Sequence, residues 1–160
     1  MKALLQRVLS ASVTVAPDEN PAQDGSPYHR AIGPGLLIFV GIEQSDTNAE
    51  ADWLCDKAAK LRIFRDDEGK MNRSVVDLGG EALVISQFTL AGDSNKGTRP
   101  SFVGAAAPSI AEPMVERFAD RLRTGHGLHA PTGVFGAMMR IELVNDGPVT
   151  LMLERSPSNP

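Results

Sequence analysis

Seven consecutive residues, Leu36-Leu37-Ile38-Phe39-Val40-Gly41-Ile42, carry no polar side chain, and they follow the turn signal Gly33-Pro34-Gly35. A run this short falls far below the ~20 apolar residues that span a bilayer. Entered from a turn and rich in branched residues, it reads as a strand buried on both faces. A second strongly apolar strand, Ala82 to Leu90, follows Gly79-Gly80. Residues 3–15 mix Val8, Val13 and Val15 with Arg7, Ser10, Ser12 and Thr14, the pattern of a strand exposed in places.

Two helices complete the core. Asp46 or Thr47 caps the first, over roughly 48–61, with Ala51, Leu54, Ala58 and Leu61 on one stripe. Ser109 and Glu112 form a capping-box pattern before the second, which reaches about Arg123 with Ile110, Met114, Phe118 and Leu122 inward and Pro113 near its first turn. Residues 134–144 and 149–154 read as the last strands, with Asn145-Asp146-Gly147-Pro148 between them. Residues 17–30 collect Pro17, Asp18, Asn20, Pro21, Gly25, Ser26 and Pro27, a long surface loop, and residues 156–160 form a flexible tail. The expectation is one α+β domain over 1–155, with five or more strands and two main helices.

Bulk properties exclude several roles. Sixteen Lys and Arg against twenty Asp and Glu give a net charge of −4, so a nucleic-acid partner has to be held by local groups rather than a broad positive field. The N-terminus lacks the apolar stretch of a signal peptide, and the single Cys55 fits a reducing cytoplasm.

Three places can carry chemistry. Ser86-Gln87-Phe88-Thr89 ends the second apolar strand, where an amide and hydroxyls either rim a pocket or mark a strand meeting solvent. Asn145-Asp146-Gly147-Pro148 is either a hairpin turn or a backbone site left open by glycine. Lys96 and Arg99, with Lys70 and Arg73 in an earlier turn, are solvated loop charges or phosphate contacts. His29, His126 and His129 all fall in segments that read as loops, so no nucleophile–base pair is evident, and no Cys, His and carboxylate spacing matches a metal site.

Taken in order, the N-terminal Met-Lys-Ala-Leu-Leu-Gln-Arg-Val, Gly33-Pro34-Gly35-Leu36-Leu37, Leu61-Arg62-Ile63-Phe64, Gly69-Lys70-Met71-Asn72, Ser86-Gln87-Phe88-Thr89, Arg99-Pro100-Ser101-Phe102 and Asn145-Asp146-Gly147-Pro148-Val149-Thr150 resemble the D-aminoacyl-tRNA deacylases, the D-tyrosyl-tRNA(Tyr) deacylase family. The resemblance covers about residues 1–154 and includes both signatures, Ser-Gln-x-Thr and Asn-x-Gly-Pro-x-Thr. It implies that family's fold, a mixed, barrel-like sheet with two main helices. It also implies a cytoplasmic homodimer that hydrolyses the ester of D-aminoacyl-tRNA, and of mischarged glycyl-tRNA, as chiral proofreading in translation quality control.

On that resemblance the catalytic residues are Ser86, Gln87, Phe88 and Thr89 of one subunit facing a cis Gly147-Pro148 of the other. The Gly-Pro carbonyls hold the substrate amino group and exclude an L side chain. Arg7 locks the dipeptide, Phe135 and Met139 line the pocket of the 3′-terminal adenosine, and Lys96 and Arg99 hold the acceptor end. The tRNA 2′-hydroxyl assists hydrolysis, and no metal or organic cofactor is implied. Rival readings are a trans Gly-Pro deacylase acting on L-alanyl-tRNA, a non-catalytic tRNA-binding module, and a Thr89-dependent esterase. The insertion over 17–30 departs from the family's short hairpin.

Overall fold

The computed structural model describes residues 1–19 and 27–157. Its elements are β1 (Lys2–Val15), a 3-10 turn (Pro17–Glu19), β2 (Tyr28–Ile32), β3 (Gly35–Gly41), α1 (Asn48–Lys60), β4 (Phe64–Arg65) and β5 (Met71–Arg73). There follow α2 (Val75–Leu78), β6 (Glu81–Ser86), a second 3-10 turn (Phe88–Ala91), α3 (Pro108–His126) and β7 (Arg140–Glu154).

β1 organises the sheet. One of its edges is shared by β3, paired along Lys2–Val8, and β2, paired along Ala11–Val15, while β7 runs antiparallel to nearly its whole length. β3 pairs with β6 in parallel, so the five-stranded sheet is mixed, and it curls into a half-barrel. β3 is covered on both faces, as its apolar run requires. Leu36, Ile38 and Val40 pack with α1 and α3 residues such as Leu54 and Phe118. Leu37 turns to the opposite face, among Val8, Val13, Leu83 and Ile85. Gly35 allows the β3–β6 approach, because a Cβ there would collide with the Glu81 carbonyl.

α1 begins at a full capping box, with Thr47 N–H donating to Glu50 Oε2 at 3.0 Å and Ala49 N–H donating to Thr47 Oγ1 at 3.2 Å. Arg117 and Arg121 of α3 each grip a carboxylate of α1, Asp52 at 2.8 and 2.7 Å and Asp56 at 2.7 Å twice. The Arg121 hydrogen bonds, partly opposed by burial, hold the Asp56 carboxyl well below the usual range.

Several sequence expectations need correction. β6 stops at Ser86, because the chain bends into the 3-10 turn instead of running extended to Leu90. α3 starts at Pro108, whose fixed φ suits the first helical position, so Ser109 makes no capping box and Ala107 is the uncapped boundary residue. That earlier start puts Pro113 inside the helix and turns Ile110 outward, while Ala111, Val115 and Ala119 join Met114, Phe118 and Leu122 in the core. His126 is not a linker residue but the last residue of α3, 2.9 Å from Asp56. Residues 134–139 precede β7, and what read as two strands is one, continuous through 145–148. β2 starts at Tyr28, drawn into the ladder opposite Val15, so the loop beginning at Pro17 ends earlier than expected; residues 20–26 lie outside the described ones. So do Ser158–Pro160 of the expected flexible tail.

Candidate active site

A cleft of about 700 Å³ opens where β6 ends. Its wall is built from Ile85 and Ser86 of β6, Gln87 and the turn residue Phe88, the start of α3 at Pro108, Ala111 and Val115, and Phe135 to Met139 with Ile141. The backbone explains the convergence. Gln87 N–H donates to Val40 O at 2.8 Å, the last bond before the chain leaves the sheet. Across β6, Val84 N–H donates to Pro131 O at 3.0 Å and receives Gly133 N–H on its own carbonyl at 2.9 Å, which draws Phe135 beside Ser86. Tyr28 OH donates to Thr132 O at 2.8 Å and ties this segment to β2. Gly133 leaves space for the Met139 thioether, which would meet a Cβ there.

Sequence-derived candidates meet here in part. Ser86, Gln87, Phe88, Phe135 and Met139 all line the cleft. Thr89 stands beside them, its hydroxyl accepting from Gln87 Nε2 at 2.5 Å. In the turn, the first amide donating to a backbone carbonyl is Leu90, to Gln87 O at 3.2 Å, as expected when a 3-10 turn opens with free N–H groups. Lys96 and Arg99 are exposed on a loop whose ends, Asp93 and Ser101, exchange two backbone bonds of 2.8 Å.

Phe102, which directly follows that loop, lines the cleft and meets Phe88 edge-to-face with ring centroids 5.2 Å apart. In the sequence Phe102 closes the run Arg99-Pro100-Ser101-Phe102, and a lone aromatic after a polar loop is its one local signal of a place in the cleft. Among the described residues, the cleft lining carries no ionisable side chain.

Arg7, Gly147 and Pro148 form a second locus outside this cleft. Between Gln6↔Thr150 and Val8↔Asn145, two steps along β1 answer five along β7, so residues 146–149 bulge from the ladder. This bulge, not a hairpin, is what the Asn-Asp-Gly-Pro run encodes. Gly147 and Pro148 are exposed at its tip, joined by a cis bond, with Gly147 at φ +122°. Beneath them the Arg7 side chain is 2% exposed. Its Nη1 donates to Ile63 O, and its Nε lies 2.9 Å from Asp146 Oδ2, a charge contact rather than an aligned hydrogen bond.

One cluster was invisible in the sequence. The ligand atoms of Cys55, Asp56 and His126 lie within 4.8 Å of one another, although Asp56 and His126 are 70 residues apart. It has the character of a packed helix contact: Arg121 occupies both Asp56 oxygens, and Cys55 Sγ donates to Phe118 O at 3.4 Å. Burial pushes the Cys55 thiol up to about 12, far from the thiolate a metal needs.

The curled mixed sheet with its packed helices is shared with solved structures. The structure titled "c-Myc DNA Unwinding Element Binding Protein" matches with TM-score 0.85 and 40% identity over 99% of this chain and all of that one. A probable eukaryotic D-amino acid tRNA deacylase, at 16% identity and TM-score 0.79 over 95% of this chain and 97% of that one, shares the fold. In sequence, the D-aminoacyl-tRNA deacylase of Roseiflexus sp. (strain RS-1) is 53% identical over 163 residues, covering 99% of each chain. That of Thermomicrobium roseum is 53% identical over 154 residues, 96% of this chain and 94% of its own. The profile of the family described as D-Tyr-tRNA(Tyr) deacylase matches residues 4–154, and the chain belongs to that family.

Proposed function

We propose that the protein hydrolyses the ester joining a D-amino acid to the 3′-terminal adenosine of tRNA. It would do so in the cytoplasm as a homodimer, with Gly147-Pro148 of one protomer facing Ser86, Gln87, Phe88 and Thr89 of its partner. The carrying observation is the division of the family's two signatures: one lines a cleft, while the other stands exposed on a bulge outside it, braced by a buried arginine. Leu9, Val144 and Met152, apolar and about half exposed on β1 and β7, give the same region a surface that favours association.

In this reading the adenosine sits against Phe135 and Met139, with Lys96 and Arg99 at phosphates of the acceptor end. Water adds its oxygen to the acyl carbon, the ester C–O bond breaks, and the ribose 3′-oxygen leaves with a proton. The described residues that line the cleft carry no ionisable side chain, which agrees with a reading in which the neighbouring 2′-hydroxyl of the substrate assists the attacking water. The amides of Phe88 and Thr89 are the donors for the developing oxyanion, worth about 3 kcal/mol per well-placed bond. Thr89, its hydroxyl engaged by Gln87, positions rather than attacks. The Gly147-Pro148 backbone rejects an L side chain by overlap, and about 2.7 kcal/mol of overlap already gives a hundredfold preference. Glycine offers nothing to reject, so glycyl-tRNA is cleaved too.

The test compares purified protein on D-tyrosyl-, L-tyrosyl- and glycyl-tRNA. D-tyrosyl- and glycyl-tRNA are deacylated and L-tyrosyl-tRNA is spared; equal D and L rates remove the chiral reading, and binding without cleavage makes the protein a binding module. A tRNA ending in 2′-deoxyadenosine loses most of its cleavage, and undiminished turnover rules out assistance by the ribose.

A further inference from the structure

The bulge that carries Gly147 and Pro148 poses a mechanical problem. Residues 146–149 have left the β1–β7 ladder, so no cross-strand pairing fixes the direction of their tip. At the base of the bulge, Arg7 has no β7 partner, and its carbonyl and that of Val149 need donors. One side chain serves both: Asn145 Nδ2 donates to Arg7 O at 3.2 Å and to Val149 O at 3.1 Å. Both acceptors are carbonyl oxygens, so chemistry fixes which end of the amide faces them. The two hydrogens of a single nitrogen thus close the bulge, tying its last residue, Val149, to the ladder residue that precedes it and to β1.

We infer that Asn145 is a positioning residue for substrate selection, an amide clamp that sets the angle at which Gly147 and Pro148 are presented. It divides the work with Arg7. The guanidinium braces the bulge from beneath through Ile63 O and Asp146, while the Asn145 amide prevents its two ends from spreading. A gate that discriminates by overlap with rigid backbone works only while the backbone cannot yield, because a sub-ångström retreat removes most of a steric penalty. The side chain touches no substrate in this scheme. Its role in selection rests on the proposed deacylase reading, but the clamp itself does not.

Asn145→Asp and Asn145→Ala separate the parts. Asp keeps the volume and removes both donors, setting a carboxylate against two carbonyl oxygens, whereas Ala removes volume as well. By hydrogen–deuterium exchange, the amides of Asp146, Gly147 and Val149 are expected to exchange at least tenfold faster in both variants, with residues 140–144 and 150–154 at the wild-type rate. The rate ratio for D- over L-tyrosyl-tRNA should fall at least tenfold in both, while glycyl-tRNA cleavage changes less than threefold. Unchanged exchange at 146–149 overturns the clamp, as does a uniform rise along β7, the mark of general destabilisation. Faster exchange with an unaltered D/L ratio overturns the positioning role. A wild-type protein indifferent to chirality overturns the deacylase gate and the role in selection together, while the exchange data still decide the clamp.

Discussion

Adding one methyl group at Gly147 tests whether the bulge is held as tightly as its contacts indicate. At φ +122° an L residue is strained, at about 1–2 kcal/mol for a left-handed backbone. Space is short as well: an added Cβ would lie 2.9 Å from Arg7 Nη2, 2.9 Å from Val149 Cγ2 and 3.2 Å from Val149 N. Arg7 cannot swing aside freely, since its buried guanidinium would leave Ile63 O and Asp146, and a buried polar group that loses its partner costs roughly 1–3 kcal/mol. Gly147→Ala should therefore destabilise by about 2–5 kcal/mol, a fall in Tm of roughly 6–15 °C for a domain of this size. Gly69→Ala is the control: it also has a left-handed φ, of +80°, but open space within 4 Å, so only the backbone cost of about 1–2 kcal/mol remains. Both are measured by calorimetry at one protein concentration, because association shifts Tm. Equal losses for the two variants, or a Gly147→Ala melt within 2 °C of wild type, would refute a rigid bulge.

Other expectations follow from the same geometry. Gly35→Ala drives a Cβ into the Glu81 carbonyl, so β3 and β6 must part; it should yield little soluble protein, and a variant melting within a few degrees of wild type would contradict the packing. Asp56→Asn breaks contacts with Arg121 and His126 at about one-third exposure, for a loss of roughly 1 kcal/mol at neutral pH. Because the folded Asp56 carboxyl is depressed, its stabilisation is complete above the unfolded value of ~3.9 and drains away as pH falls below it. Denaturant melts of wild type and variant should thus converge below about pH 4, and a gap that stays constant to pH 3 refutes the assignment. The Cys55 thiol, buried and raised to about 12, should resist Ellman's reagent at pH 8 until the protein is unfolded; rapid stoichiometric labelling of native protein would disprove its burial.

Much of the scaffold could be read directly from residue order. The apolar run at 36–42 announced a strand buried on both faces, Asp46 or Thr47 announced the start of α1, and the two signature motifs pointed to the family. The errors share a cause. At Phe88, Ser109 and Val144 the local pattern permits two conformations, and long-range pairing chooses between them. Alternation alone continues β6 to Leu90, yet the backbone turns once Gln87 N–H has found Val40 O. Asn-Asp-Gly-Pro alone is a hairpin turn, but β1 is long enough to pair with β7 on both sides of it, so the run becomes a bulge within one strand.

Local pattern was decisive for the apolar run of β3, the start of α1 and the chemical identity of Ser86, Gln87, Phe88, Thr89, Gly147 and Pro148, because each depends on neighbours within a turn or a strand. Tertiary structure alone decided which of these groups share a cleft, that Phe102 joins it, that Asn145 closes the bulge, and that Asp56 meets His126 across 70 residues. Those relations require sequence-distant backbones to approach within hydrogen-bond reach. That proximity is set by how the curled sheet and its helices pack, and no local pattern encodes it.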